Sequence, residues 1–417
     1  MSLHSGNAPL FNHRNVIIVS LLFIALGLTA FVIQLGSSHP ERAWQAYLIN
    51  FLLWSAIAQG GLIFSAVMHL VKARWTGPLS GLSESFAAFF PFSFVLFFIL
   101  IFGKAYVFPW QYQTLDGKEV WLNLPFLLSR DGVALFVLYV LGFVYLHYSL
   151  QLRIVNAAIN PEKSESGILR RLLIAQQSQK GQDQVIIRKR MTFSGTLYIT
   201  AFVLVLSLIG YDLVMSADPL WLSTLFGAYT FVKAFYIGLG ALIILSSVFY
   251  LIHGNASGLT SDHFHDLGKL FFAFCLLWAD FFYVQFIVIW YGNIPEETSY
   301  IIERTMMPPW NSLAWTVFVV CFILPFFVLL NKAVKSKPLF MIVISSLTII
   351  GIWLEHLLLL GPALNHHAGT IPLGLPDVLI FIGFLGLMIF SVTLFLDRFP
   401  ELALLENNRA DNSGEVS

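Results

Sequence analysis

The sequence predicts an all-α integral membrane protein with ten transmembrane helices. Hydrophobic residues make up 58% of the chain and charged residues only 11%, whereas soluble domains contain about 25% charged residues. The mean hydropathy is +0.78. The chain also contains 40 Phe, more than a water-soluble core of this length requires. The composition therefore excludes the ordinary soluble classes, and a formal net charge of zero gives no argument for nucleic-acid binding.

Ten apolar runs have about the length of 20 residues that an α-helix needs to cross a bilayer. The first run is too long for the apolar region of a cleavable signal peptide, so we predict that it spans the membrane. Turn-forming pairs such as Gly77-Pro78 and Gly361-Pro362 separate the runs. In chain order, the predicted spans are 16–35, 45–71, 85–106, 131–150, 193–215, 226–252, 263–291, 310–331, 338–360 and 376–397.

The distribution of Lys and Arg between the loops predicts the orientation. Of 23 such residues, 16 lie on the side of the N-terminus and five on the opposite side, and the other two, Lys233 and Lys269, fall within predicted spans. Cytoplasmic loops carry the excess of basic residues, so both termini are predicted to be cytoplasmic. The five residues on the opposite side are Arg42, Lys104, Lys118, Arg130 and Arg304.

A weak internal repeat predicts how the helices are grouped. Small residues lie at the centres of predicted helices 2 and 6, at Gly60-Gly61 and at Gly238, and similar turns follow at 81–86 and 258–264. The offset is close to 180 residues. We therefore predict one membrane domain, 1–417, with a first four-helix bundle (36–215, helices 2–5), a second four-helix bundle (216–360, helices 6–9), and flanking helices and tails (1–35 and 361–417).

Predicted helices 6 and 7 carry ionisable residues at membrane depth. Lys233 lies about 12 Å from the outer end of its helix and Asp280 about 16 Å from the outer end of the next, so we expect both charges in the same half of the membrane, facing the protein interior. Tyr236 lies one turn from Lys233 on the same face. An unpaired charge at this depth is costly, and such residues usually mark a proton, ion or substrate path.

Other ionisable residues extend this pattern. Glu355 and His356 map to the same outer half, and Asp212 lies at the outer end of predicted helix 5. One alternative is that Lys233 and Asp280 form a buried ion pair that only fixes helix register. Another is that Glu355 reaches the outer headgroups. Because desolvated charge is costly and is repeated here, we favour a proton path over these alternatives.

A second polar set lies near the inner ends of predicted helices 2, 3 and 4. It comprises His69, Glu84 and His147. A histidine near a helix end is more often an interfacial residue than part of a proton relay. Even so, acids and histidines near the inner side, together with a separate set of ionisable residues towards the outer side, are the pattern expected of two proton half-channels. We include all three residues in the predicted path.

The sequence predicts no cofactor and no metal on this chain. Its two cysteines, Cys275 and Cys321, are too few to ligate an iron–sulfur cluster. His69 and His147 lack further histidines spaced for a two-haem stack. No phosphate loop, dinucleotide fingerprint, zinc signature or nucleophile elbow occurs.

The predicted outer loop 118–130 reads KEVWLNLPFLLSR. Together with Gly60-Gly61, His69 and Trp75 of the second helix, and with ten helices in two bundles, it resembles the NrfD-like (polysulfide-reductase-type) membrane subunits. Within that family the chain is most similar to the ActF-type subunit of alternative complex III, a bacterial quinol-oxidising respiratory complex. The resemblance covers nearly the whole chain.

The resemblance implies a non-catalytic, multi-pass subunit in the bacterial inner membrane. It implies a role in a quinol:cytochrome c or electron-acceptor oxidoreductase, as an anchor for periplasmic redox subunits and a path for protons. Haem c and iron–sulfur clusters are then expected on partner subunits, and quinol in the complex. The implied partners are lipids, an ActC-like membrane subunit, an iron–sulfur subunit, multihaem and monohaem cytochrome c subunits, small membrane subunits and a terminal oxidase.

Three alternatives remain open from the sequence. The chain could instead be the quinol-binding sister subunit, ActC, but the outer half of its first bundle offers Asn50 and Gln59 without an acid–histidine pair. It could be a secondary transporter, although helix breaks at matched positions, typical of that class, are missing. It could also be a purely structural membrane anchor whose buried charges set helix register.

Overall fold

The computed structural model describes residues 13–112, 115, 117–158, 184–364 and 370–399. Within these ranges it contains ten helices long and apolar enough to cross a membrane and no β-strand, which confirms the predicted fold class. The chain is thus a multi-pass membrane protein. The spans, α1 to α10 in chain order, are His13–Leu35, Pro40–Leu70, Leu79–Val107, Leu124–Ala158, Gln184–Leu213, Phe226–His253, Ser261–Gly292, Trp310–Leu330, Pro338–Leu364 and Leu375–Arg398.

We call the side at which α1 begins the inner side, following the predicted orientation, and the opposite side the outer side. Successive spans run in alternate directions, so α1 begins and α10 ends on the inner side. Five of the basic residues that support this orientation lie outside the described residues, and the orientation itself stays a prediction. They are Lys163, Arg170, Arg171, Lys180 and Arg409.

Several helices are longer than the apolar runs that predicted them. α2 begins at Pro40, five residues before the predicted start, because Glu41 and Arg42 continue the helix beyond its hydrophobic part. Proline at the first helical turn is favourable, since the N–H that it lacks has no partner there. α3 and α4 begin at Leu79 and Leu124, six and seven residues before their predicted starts. Acidic residues that the sequence places at helix ends therefore lie inside helices.

Close contacts between glycines bring two pairs of helices together. Gly60 of α2 packs against the α6 backbone at Ala234 and Gly238, and a Cβ on either glycine would overlap the other helix. The two glycines hold equivalent places in the predicted repeat. Gly27 of α1 and Gly383 of α10 form a similar contact. Small residues permit such approach in membrane helices.

α2 lies at the centre of the molecule. It packs against α5, α6, α9 and α10, and 83% of its most apolar 18-residue window is buried, against 17% for α1. α1 packs mainly against α10 on one side of the molecule. The predicted division into two four-helix bundles stays a prediction, but the contact between α2 and α6 is where its two halves would join.

α8 contains a π-helical turn, Val319–Ile323, which ends two residues before Pro325. Proline has no N–H, so the carbonyl four residues earlier, that of Cys321, loses its helical donor. Two side chains contact this carbonyl oxygen instead: Tyr236 Oη donates a hydrogen bond to it at 3.1 Å, and Cys275 Sγ lies 3.6 Å away. Side chains of α6 and α7 thus satisfy a backbone group that lipid could not satisfy.

Candidate functional site

An ion pair between Lys233 of α6 and Glu355 of α9 lies in the outer half of the molecule. Lys233 Nζ donates to Glu355 Oε1 at 3.1 Å, and the two residues are only 3% and 0% exposed. Two further groups donate to the same carboxylate: Tyr229 Oη to Oε1, and Trp278 Nε1 to Oε2 at 3.3 Å. Both carboxylate oxygens therefore have donors, which offsets the cost of burying the charge.

Helix geometry brings these four residues together. Tyr229 and Lys233 are four residues apart on α6 and share a face. The Lys233 ammonium lies 4.9 Å from the centre of the Tyr229 ring. Lys233 lies about 10 Å from the outer end of α6 and Glu355 about 14 Å from that of α9, so their depths match.

Asp280 does not form the ion pair with Lys233 that the structural alternative expected, since Lys233 pairs with Glu355. Asp280 is exposed on α7, and no hydrogen bond or ion pair joins it to any described residue. Trp278, two residues earlier, points inwards to Glu355. Side chains two positions apart on an α-helix differ by about 200° around the helix axis, so Asp280 points to the opposite side from Trp278. The predicted inward direction of Asp280 is therefore wrong.

Tyr236 also differs from its predicted role. It is buried on the same helix as Lys233, but its hydroxyl donates to the carbonyl of Cys321. That carbonyl lacks its own helical donor because of Pro325. The contact therefore gives Tyr236 a structural role in holding α6 against α8.

His356 and Lys233 line a cavity at the junction of α2, α4, α5, α6 and α9. The cavity has a volume of about 40 Å³, enough for roughly three water molecules. The buried Nε2 of Gln59, which also lines it, has no protein partner among the described residues. His356 Nδ1 lies 2.8 Å from the Ile352 carbonyl oxygen. Because a carbonyl can only accept, this contact assigns a proton to Nδ1. The cavity thus offers polar groups to water beside the ion pair.

Hydrogen bonds lead from this cavity towards the inner side. Tyr198 Oη of α5 donates to Gln59 Oε1 at 2.7 Å. The ring of Tyr198 stacks on that of Tyr145, with centroids 6.4 Å apart. Tyr145 Oη in turn lies 2.9 Å from Ser65 Oγ. The step between the two tyrosine rings is a stacking contact, and the steps on either side of it are hydrogen bonds.

Glu84 lies at the inner end of this chain of polar groups. It is fully buried, and its Oε1 accepts hydrogen bonds from Ser65 Oγ and Ser149 Oγ, each at 2.7 Å, and from Arg153 Nη2 at 3.2 Å. The side chain of Arg153 is 13% exposed. A buried acid therefore touches both the polar chain and a cationic side chain that reaches the inner surface.

The two histidines predicted beside Glu84 lie outside this chain. His69 is half-buried, and its Nε2 lies 3.1 Å from Thr192 Oγ1. His147 is exposed and packs edge-on against the ring of Tyr148. Tyr145 and Ser149, two residues to either side of His147, point inwards instead, because residues two apart lie on nearly opposite helix faces.

Asp212 belongs to a separate polar cluster under the outer surface. Its carboxylate accepts hydrogen bonds from Arg130 Nε at 2.7 Å and from Trp121 Nε1 at 2.9 Å, and Arg130 Nη2 lies 2.7 Å from Oδ1. The guanidinium of Arg130 also lies 3.8 Å from the centre of the Trp121 ring. Asp131 is fully buried beside Asp212.

Sequence reasoning missed several of these residues. Asp131 stands at the edge of the predicted span 131–150, and its helix begins seven residues earlier, which places it two turns inside. Ser65, Ser149 and Tyr198 are single polar residues in apolar helices, a pattern that ordinary membrane helices also show. Arg153 was counted as a loop charge. Only their arrangement in space distinguishes them.

The arrangement is suited to moving protons rather than to holding a metal. Carboxylates, hydroxyls, an amide and the cavity of about 40 Å³ lie in an almost continuous series from Glu84 to Glu355. Among the described residues, no group of three His, Cys, Asp or Glu side chains is placed to hold a metal ion. The chain matches no protein-family model, and no curated protein matches it significantly.

Proposed function

We propose that this protein moves protons across the membrane as part of a larger respiratory complex. The proposed path begins at Glu84, follows Ser65, Tyr145, Tyr198 and Gln59, and reaches Lys233, His356 and Glu355 through the cavity. It runs from the inner ends of α2, α3 and α4 to the outer half of α6 and α9, and so passes from the first predicted bundle into the second.

One observation carries the proposal: Lys233, which is ion-paired with Glu355, lines a cavity of about 40 Å³, and Gln59, which lines the same cavity, is hydrogen-bonded towards the inner side. An ion pair that only fixed helix register would need neither a cavity nor a polar connection. Intramembrane ionisable residues that face a hydrated space commonly belong to proton relays.

We further propose that the complex is a quinol-oxidising oxidoreductase of the alternative complex III type, with this chain as its ActF-like, NrfD-family subunit. Support comes from the loop and helix motifs described above and from the ten-helix architecture. In this proposal the chain holds no redox centre. Partner subunits carry the haem c groups and iron–sulfur clusters, and the complex lies in a bacterial inner membrane.

The test compares the wild-type complex with Glu355→Gln in proteoliposomes, with the number of protons moved per quinol oxidised as the measurement. We expect quinol oxidation to continue and proton movement to fall. Asp280→Asn is the matched control, because it neutralises a carboxylate on the same level of the membrane that lies outside the path. An unchanged proton count in Glu355→Gln would reject the proton role. Mass spectrometry of the gently solubilised complex tests the proposed partners.

A second candidate function is secondary transport. The span α3 is divided into short α- and 3₁₀-helical segments, and α8 contains a π turn, as expected for helices that open a substrate site. These irregularities lie on helices that are not equivalent in the predicted repeat, which weighs against this function. Solute uptake by the isolated chain in liposomes would favour it.

A further inference from the structure

Asp131 is a buried acid that the path described so far does not use. It is 0% exposed, and neither of its carboxyl oxygens has a hydrogen-bond donor among the described residues. A buried carboxylate without any donor is one of the most costly groups a protein can contain. The surroundings of Asp131 must therefore reduce this cost.

The neighbour of Asp131 is a second acid whose own donors are already used. Asp212 accepts from Trp121 at Oδ1 and from Arg130 at Oδ2, and the guanidinium of Arg130 spans both oxygens. Asp131 lies within hydrogen-bonding reach of Asp212. A hydrogen bond between two carboxyl groups needs a proton on one of them.

The local charges agree with one shared proton. Arg130 is the cation in contact with the pair, so two ionised carboxylates would leave one buried negative charge uncompensated. Two carboxyl groups that share a site do not ionise together readily. One proton on the pair leaves a single negative charge opposite Arg130 and gives Asp131 its missing hydrogen bond.

The pair lies directly above the central cavity. Leu135, one turn inwards from Asp131 on α4, and Ile209, one turn inwards from Asp212 on α5, both line it. Lys233 and His356 line the same cavity on the opposite helices. The cavity therefore lies within one helical turn of both polar clusters. On the outer side, Trp121 is 48% exposed, so the pair lies beneath the outer surface.

We infer that Asp131 and Asp212 form a carboxyl–carboxylate pair that holds one exchangeable proton and serves as the outer station of the proton path. This inference deepens the proposed function and rests on it for the direction of transfer. A proton leaving Lys233 or His356 crosses the cavity to the pair, and the proton already there leaves towards the outer side, so that the pair regains its single proton. The path then leaves through α4 and α5 rather than along α9.

Infrared spectroscopy of the full chain, purified with its native partners, tests the shared proton. A protonated carboxyl group absorbs separately from a carboxylate, so Asp131→Asn should remove one such band and Asp131→Glu should restore one. Asp218→Asn, at a partly exposed outer carboxylate 3.7 Å from Arg304, should leave the band unchanged. If the wild type lacks the band, or if Asp131→Asn retains it, the pair does not hold a proton.

Trp121→Phe gives a second spectroscopic test, should Asp131→Asn fail to fold. It removes one donor from Asp212, which should draw the shared proton closer to that residue and shift the band. An unshifted band would contradict the proposed pair.

Proton release in proteoliposomes tests the place of the pair on the path. We expect Asp131→Asn to lose proton release on the outer side while quinol oxidation continues. If Asp131→Asn loses the infrared band but releases protons normally, the pair holds a proton but is not part of the path. Glu355→Gln keeps the two proposals distinct: if it leaves proton movement unchanged, the proposed function fails whatever the band shows.

Discussion

Lys233 and Glu355 lie 122 positions apart in the sequence and 3.1 Å apart in the structure, where they form an almost fully buried ion pair. Tyr229 and Trp278 complete the set of donors around the carboxylate. The pair joins α6 to α9 in the outer half of the membrane. Its contribution to stability and its proposed role in proton transfer are tested by different measurements.

Removing one partner of this pair should destabilise the protein more than removing both. Lys233→Met leaves Glu355 as a buried charge without its counter-ion, and loss of one partner of such a pair typically costs about 3–5 kcal/mol. In the double variant Lys233→Met/Glu355→Leu no charge remains, so we expect it to recover most of this loss. Unfolding in mixed detergent micelles measures the free energy of unfolding of the wild type, the two single variants and the double variant. Additive effects would mean that the pair is not energetically coupled.

Tyr145→Phe should interrupt proton transfer without disturbing packing. The variant keeps the ring that stacks on Tyr198 but removes the hydroxyl that contacts Ser65. We expect slower proton uptake from the inner side, measured by a pH-sensitive dye in proteoliposomes. Tyr148→Phe is the matched control, since Tyr148 lies on the same helix and its ring contacts His147 instead. Equal rates in the two variants would contradict the path through Tyr145.

Tyr236→Phe should lower stability and leave proton movement unchanged. The substitution leaves the Cys321 carbonyl with only the weak thiol contact from Cys275, and an unsatisfied buried group costs about 1–3 kcal/mol. Pro325→Ala restores an N–H four residues after Cys321, so the double variant should lose less stability on removal of the hydroxyl. Thermal unfolding of the four proteins checks this. A change in proton count with Tyr236→Phe would return Tyr236 to the path.

Gly60→Ala should weaken the contact between α2 and α6. A Cβ on Gly60 overlaps the backbone of Ala234, and backbone cannot move aside as a side chain can. Overpacking of a tight core costs about 1–3 kcal/mol or more. Gly292→Ala is the control, because a Cβ there meets nothing within 4 Å. Thermal stability in detergent provides the comparison, and equal values for both variants would show that the helices separate at little cost.

Substitutions at Ser149 and His147 should distinguish a residue on the proposed path from its neighbour in the sequence. His147 is exposed beside Tyr148, so His147→Gln should leave proton movement unchanged, whereas Ser149→Ala removes a 2.7 Å hydrogen bond to Glu84 and should reduce it. Both residues lie on α4, near its inner end. The measurement is again the proton count per quinol oxidised. A larger effect at His147 than at Ser149 would contradict the assignment of Glu84 as the inner entry.

The amino-acid sequence alone determined the fold class and the approximate bounds of the ten spans. It could do so because the cost of exposing backbone and charge to hydrocarbon acts on each helix separately. The same cost identified Lys233 and Glu355 as residues that need partners. The depth of a residue follows from counting along its own helix, and for Lys233 the counted distance of about 12 Å from the outer helix end is close to the about 10 Å of the structure.

Only the tertiary structure decided which of these residues meet. Partnership depends on the rotation of each helix about its axis, which is set by contacts with neighbours such as that between Gly60 and Gly238. Side chains two positions apart on a helix differ in direction by about 200°. Trp278 therefore contacts Glu355, whereas Asp280 is exposed on the opposite face of the same helix. The same rotation buries Asp131 beside Asp212, although in the sequence it follows a basic loop residue. Depth is a property of one helix, whereas contact is a property of several helices packed together.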